Sequence, residues 1–285
     1  MRGSSQQKPT RIFYKTEEEI ELLREASLLV CKVLAHVGSR LKPGLSGKGL
    51  DKEAEELIRD HGATPAFKGY NGFPATLCVS PNEAVVHGIP GDAAFKDGDV
   101  ISVDCGTFLN GYYGDAAYTF AIGDVKEEVM QLLRVTKNSL YRGIDQAKQG
   151  RRLGDISYAI QNYVERENPY SIVRELVGHG IGKSLHEDPE VPNYGSRGNG
   201  LLLKEGLVIA IEPMVNLGRK DIRQSDDQWT IFAQDGLPAA HYEHSLAVRK
   251  GAADILSDHR PVEEAEANNP ELKSVETLEV HPQYG

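Results

Sequence analysis

The chain has 285 residues, 40% of them hydrophobic and 26% charged, with a formal net charge of −10. That balance excludes wholesale disorder and a repeat-only chain, and the length suits one large α/β or α+β domain with appended ends. The acidic charge, without clustered Lys and Arg, argues against a nucleic-acid surface, and no apolar run reaches the ~18 residues of a membrane span.

Three widely spaced cysteines, Cys31, Cys78 and Cys105, match neither a zinc C-x-x-C pattern nor a disulfide framework. The opening segment MRGSSQQKPTRIFYK lacks the apolar core of a signal peptide. A cytoplasmic, reducing location is therefore expected, with residues 1–10 set aside as a flexible N-terminus or an expression remnant.

Thr16 followed by Glu19 makes a capping-box pattern, and Ile20, Leu23, Ser27, Val30, Leu34 and Val37 recur at helical spacing, predicting a helix over about 17–37. Lys42-Pro43-Gly44 breaks it. Ser46 is then expected to cap a second helix carrying Leu50, Ala54, Leu57 and Ile58, closed by Gly62. Residues 63–95 are dense in Gly, Pro and aromatics, which predicts loops of the kind that build sites, with one or two short strands, one near Thr76–Ser80. Val125, Val129, Leu132, Thr136, Leu140 and Ala147 predict a helix to about Lys148, ended by Gly150. Another is expected from Asp155 to about Glu167, before Pro169. Beyond about Lys250 the chain is acidic and poor in apolar runs, so 251–285 reads as a loosely held acidic extension of a single domain over 11–250.

One internal echo stands out. KDGDVISVDCG from Lys96 aligns without a gap with KEGLVIAIEPM from Lys204, a shift of 108 residues that places Asp104 opposite Glu212. Each acid is expected at the end of an apolar strand, and the pair suggests two similar halves about a pseudo-two-fold axis. Asn110-Gly111 is a hairpin signal that returns Asp115 beside Asp104. After Glu212 the chain also turns back and brings Glu243 home in a last strand.

A bare carboxylate inside an apolar strand is costly unless paired, hydrogen-bonded or metal-bound. Four acids gathered with His179 would repel one another strongly without cations. Hard oxygen ligands with one imidazole suit Mn²⁺, Fe²⁺, Co²⁺ or Zn²⁺, and two such ions side by side can activate water for hydrolysis. His179 lies between glycines in ELVGHGIGKSLHEDPEVPNYG, His186 follows it, and His87 leaves a short apolar strand in NEAVVHGIP. A functional part is expected for these, and a structural one for His36, His61 and His241.

The segments GYNGFPATLCVSPNEAVVHGIP, VDCGTFLNGYYGDAAYTF, VGHGIGKSLHEDPEVPNYG, IEPM and HYEHSLAV, in this order over roughly residues 12–250, resemble the signature segments of type I methionine aminopeptidases. The resemblance implies the pita-bread α/β (α+β) fold, in which two pseudo-symmetric halves wrap antiparallel sheet around a dinuclear metal site. It implies a hydrolase that removes the initiator methionine from nascent or newly made polypeptides, preferably before a small second residue, by attack of a metal-bridging water or hydroxide. It also implies roles. Asp104 chelates one metal, His179 and Glu212 bind the other, and Asp115 and Glu243 bridge both. Glu212 shuttles the proton, while His87 and His186 contact the scissile amide. Tyr70, Phe73, Cys78 and Trp229, with Phe67 and Leu185 nearby, wall a methionine pocket, since aromatic and sulfur-bearing groups suit a thioether. Leu185 and Phe73 depart from the aromatic residue and the Tyr expected there, which bears on pocket shape. Metal identity among Co, Mn, Fe and Zn is left open. A monomer with transient ribosome contact and no nucleic-acid or membrane partner is expected.

Two other readings compete. Aminopeptidase P and prolidase share the fold and metals, but usually carry a substantial domain before the catalytic unit, where about forty residues stand here. A binding module that has lost its metals is the second; it is disfavoured because all five ligand positions and both histidines, His87 and His186, are present.

Overall fold

The computed structural model describes residues 11–275, so the expectation for residues 1–10 falls outside it. Helix α1 (Glu17–Arg40) starts at the expected capping box: Glu19 N donates to Thr16 Oγ1 at 3.3 Å, and Thr16 N donates to Glu19 Oε2 at 3.0 Å. Its apolar stripe, Ile20, Leu23, Val30, Leu34 and Val37, is buried in the core. Helix α2 (Gly47–Asp60) follows Ser46, whose side chain makes no capping bond, contrary to expectation. Ser46 instead bridges Ala94, and Lys48 N donates to Gly91 O at 3.0 Å.

The loop-rich stretch yields β1 (Thr64–Pro65), β2 (Leu77–Pro81) and β3 (Ala84–Val86), then the long hairpin of β4 (Val100–Leu109) and β5 (Tyr112–Ala121). The hairpin turns at Asn110 (φ 51°) and Gly111 (φ 87°), the two left-handed residues that a turn matched to strand twist requires. β4 pairs antiparallel with β5 along its length and with β1 and β2 on its other edge. Helices α3 (Glu127–Ile144) and α4 (Leu153–Gln161) come next. α3 stops short of Lys148, and the helix expected to reach Glu167 changes at Asn162 into a π-helical turn over Asn162–Glu167.

The second half supplies β6 (Ser171–Ile172), β7 (Gly178–Gly180), β8 (Glu187–Val191), β9 (Val208–Ile211) and β10 (Met214–Asn216). It continues with β11 (Ile222–Gln224), β12 (Ile231–Ala233), β13 (Ala239–His241), β14 (His244–Ala247) and β15 (Asp254–Ile255). Five of these form an antiparallel sheet in the order β15-β14-β9-β7-β8. The sequence echo is visible here: β4 begins at Val100 and β9 at Val208, the same 108-residue shift, and each pairs with the strand that brings home a second acid. One detail differs. Glu212 leaves the end of β9, but Asp104 lies mid-strand because β4 continues to Leu109 to pair with β1 and β5.

Residues 251–275 are not loosely held. β15 pairs with β14, and α5 (Arg260–Asn268) lies on α1, with Leu256, Val262 and Val275 buried. Asn269 Nδ2 donates to the Gly38 and Leu41 carbonyls, each at 2.8 Å, at the C-terminal end of α1. The acidic composition concealed this, because a few well-spaced apolar residues suffice to dock a short helix. Asn269→Ala leaves buried carbonyls at a helix end unpaired, and we expect it to cost about 1–3 kcal/mol in urea unfolding while sparing the site. A variant as stable as wild type would show that this segment adds nothing. Among the described residues, no helix is long and apolar enough to cross a membrane.

Candidate metal centre

Facing residues on an antiparallel pair project to one side of the sheet. Asp104 faces Ala117 across the hairpin and Gly106 faces Asp115, so both acids point from the same face, and Cys78, opposite Asp104 on β2, joins them. In the other half Glu212 follows β9 and Glu243 precedes β14, where Ile211 faces His244. Two bonds sew the halves together at the acids: Glu243 N donates to Ala117 O at 3.0 Å, and Ser245 Oγ donates to Asp115 O at 2.8 Å.

His179 sits in β7 between close neighbours. A Cβ at Gly178 would collide with the Ala210 carbonyl and one at Gly180 with the Asp188 carbonyl, so only Gly-His-Gly fits between β8 and β9. The His179 Nδ1–H donates to Gly180 O at 2.9 Å, which fixes the tautomer and turns a lone pair on Nε2 toward the acids. Nε2 lies 3.7 Å from Asp115 Oδ2 and 3.6 Å from Glu212 Oε1.

Ligand atoms of Asp115, His179 and Glu243 all fall within 4.8 Å of one another. Asp104 Oδ1, Asp115 Oδ1 and Glu243 Oε1 are buried without a hydrogen-bond partner. Burial pushes the Asp104 carboxyl up to about 7, with a hydrogen bond to Asp115 drawing it partly back. Burial, then Glu243 and Asp104, hold Asp115 well above the carboxylate range. Burial with Asp104 and Asp115 does the same to Glu212, and burial with Glu212 and Asp104 to Glu243. His179 is pushed down to about 3 by burial and then by His186. Crowded acids with orphaned oxygens around a neutral imidazole fit a divalent cation, whose charge removes the repulsion and whose coordination satisfies those oxygens.

The cluster floors a cavity of about 300 Å³ that all the other candidates also line: Phe67, Tyr70, Phe73, Cys78, His87, Leu185, His186 and Trp229. Phe73 and Trp229 meet edge to face at 5.2 Å. The Tyr70 hydroxyl lies 2.7 Å from His186 Nδ1, and the His186 ring stands 4.2 Å from that of His179. His87, just past β3, holds a left-handed φ of 58°, a conformation uncommon for a residue with a Cβ and characteristic of functional positions. Its pKa falls to about 4 through burial and then through His186, so the ring is neutral near pH 7.

Sequence reasoning missed Asn71, which lines the cavity mouth from the turn Tyr70–Gly72 at φ 49°; an Asn-Gly pair reads as an ordinary turn. His241, expected to be structural, is 1% exposed, and its Nε2 stands 3.7 Å from Glu212 Oε2. His36 and His61 are as expected: His36 contacts Glu53, and His61 contacts Lys32 and the Leu57 carbonyl, away from the site.

Antiparallel strand pairs from two matched halves that converge acids and imidazoles on one cavity define a metal-dependent hydrolase. The chain belongs to Metallopeptidase family M24, whose pattern matches residues 21–250, and a divalent metal is therefore its cofactor. It is 49% identical over 246 residues to "Methionine aminopeptidase 1" of Bacillus subtilis, covering 86% of this chain and 99% of that protein. The crystal structure of methionine aminopeptidase from Thermotoga maritima is similar with a TM-score of 0.85 and 41% identity, over 87% of this chain and 100% of that one. An Xaa-Pro dipeptidase of Bacillus anthracis, at 21% identity, a TM-score of 0.70 and coverage of 86% of this chain and 62% of that one, shares the pita-bread fold.

Proposed function

We propose that the protein is a methionyl aminopeptidase that removes the initiator methionine from newly made polypeptides, preferably before a small second residue. The observation that carries this reading is a single cavity joining the acid cluster to an apolar wall of Phe67, Phe73, Cys78 and Leu185, flanked by Tyr70 and Trp229. A flexible thioether suits such aromatic and sulfur-bearing surroundings.

Asp104 would hold one divalent ion, His179 and Glu212 a second, with Asp115 and Glu243 between them; Co, Mn, Fe and Zn all suit this donor set. When bound, the ions supply Lewis-acid polarisation and a water acidified toward neutral pH. Glu212 takes the proton of the attacking water and delivers it to the departing amine. His87 and His186, both drawn below the usual imidazole pKa by burial, donate to the scissile amide and steady the charge that develops on its oxygen. The Tyr70 hydroxyl, 2.7 Å from His186 Nδ1, would donate to that nitrogen and so leave the imidazole proton on Nε2 for the substrate. The enzyme acts as a monomer in a reducing cytoplasm, a setting that its free buried thiols suit, with transient ribosome contact.

Metal-reconstituted protein, prepared anaerobically, should release methionine from Met-Ala-Ser and leave Ala-Pro-Ala intact. Turnover of the proline peptide alone would overturn the assignment, and failure to bind any divalent metal would return the protein to the class of binding modules.

A further inference from the structure

His241 ends β13, opposite Met214 of β10, and its backbone is gripped from the other half of the molecule. His241 N donates to Thr119 Oγ1 at 2.9 Å, and Thr119 Oγ1 donates back to His241 O at 2.7 Å. Nothing comparable satisfies the ring: Nε2 is buried and has no hydrogen-bond partner, a costly state for a polar atom. What faces it is Glu212.

The Glu212 carboxylate lies between two imidazoles, one to each oxygen. Oε1 is 3.6 Å from His179 Nε2 and Oε2 is 3.7 Å from His241 Nε2. Asn193 Nδ2 fixes the Glu212 carbonyl at 3.0 Å, so the freedom that remains is in the side chain. The terminal torsion of a Glu is broad, and a modest rotation brings Oε2 into the ~2.7–3.2 Å range of a hydrogen bond.

We propose that His241 is a positioning residue that donates its Nε2–H to Glu212 Oε2, turning Oε1 toward the cation shared with His179 and preventing the carboxylate from swinging out of the site. The inference rests on the reading of Glu212 as ligand and proton carrier. Carboxylates that bind metals are themselves oriented by hydrogen bonds, and loss of such a partner costs roughly 10–100-fold in metal affinity or activity. His241 does not line the cavity, so it acts through Glu212 and not on substrate.

The test uses the full chain with His241→Leu and His241→Gln, the second retaining an N–H donor. Isothermal titration of Mn²⁺ into metal-free protein should show the Leu variant binding about 10–100-fold more weakly. With Met-Ala-Ser its kcat should fall while KM stays within about twofold of wild type, and the Gln variant should recover most of both losses. A Leu variant with wild-type affinity and kcat, or a Gln variant as impaired as Leu, overturns the proposal. Should the Leu variant fail to fold by circular dichroism, ¹⁵N–¹H correlation of the wild-type histidine rings decides: an Nε2–H tautomer at His241 supports the bond, and an Nδ1–H tautomer overturns it. A wild-type protein that binds Mn²⁺ yet leaves Met-Ala-Ser intact sinks the peptidase reading, while the affinity series still judges His241.

Discussion

Glu212→Ala and His87→Ala each abolish turnover of Met-Ala-Ser while the protein stays folded. Removing a general acid–base group, the role proposed for Glu212, costs about 10²–10⁴-fold in rate, and as a proposed metal ligand Glu212 would also give up a ligand oxygen, so its loss is the larger. Removing a donor to a developing oxyanion costs about 10²–10³-fold in kcat, which sets the scale for His87. The fold survives the first change because that carboxylate is held against burial and against Asp104 and Asp115, so its removal relieves repulsion. Far-UV circular dichroism and steady-state kinetics on each variant check both halves of the expectation. Appreciable turnover by Glu212→Ala would refute the proton-shuttle role.

The second large effect is on stability and comes from the same crowding. Adding Mn²⁺ to metal-free protein at 100 times its Kd should stabilise it by about 2.7 kcal/mol, or roughly 5–10 °C in Tm. Asp115→Asn should abolish most of that rise. The metal-free state also carries a pH signature. Asp104 titrates at about 7 in the fold and near 4 in the unfolded chain, so the folded state binds its proton more tightly. Stability from this group is therefore complete below about pH 4 and lost as pH rises toward 7 and beyond. Asn at 104 mimics the protonated form at every pH. Metal-free Asp104→Asn should be more stable than wild type in urea unfolding by a margin that widens between about pH 4 and 7, to the order of 2–4 kcal/mol, and then holds. Asp104 also helps to raise Asp115, Glu212 and Glu243, so the substitution relieves them as well and the margin reads the repulsion of the whole cluster. A margin that narrows with rising pH would show that the acids do not repel in the fold.

Much of this site was legible in the sequence because its constraints are local. Lys96–Asp104 and Lys204–Glu212 share a turn, an apolar strand and an acid, and Asn110-Gly111 can close only one kind of hairpin, so Asp115 had to return beside Asp104. Gly178 and Gly180 mark a strand pressed between two others. The remainder depended on distant pairings that composition does not encode. His241 looked ordinary because its setting comes from Thr119, 122 residues earlier, and Asn71 because its turn gives no hint of the cavity behind it. Residues 251–275 looked too acidic to pack, yet Asn269 bonds to the end of α1, and Glu266 is almost wholly buried at 2% exposure.

That docking of α5 bears on how the molecule comes into being. Asn269 bonds to Gly38, 231 residues back, so α1 waits for α5 to be made before the carbonyls at its C-terminal end are satisfied. Contacts this distant in sequence slow folding, since the loop between them must close before they repay its entropy. β14, next to Glu243, likewise gains its outer neighbour only when Asp254–Ile255 arrives. During synthesis the acids of the first half are therefore on hand long before those of the second, and the surroundings of Glu243 are completed only after Asp254–Ile255 and α5 have been made.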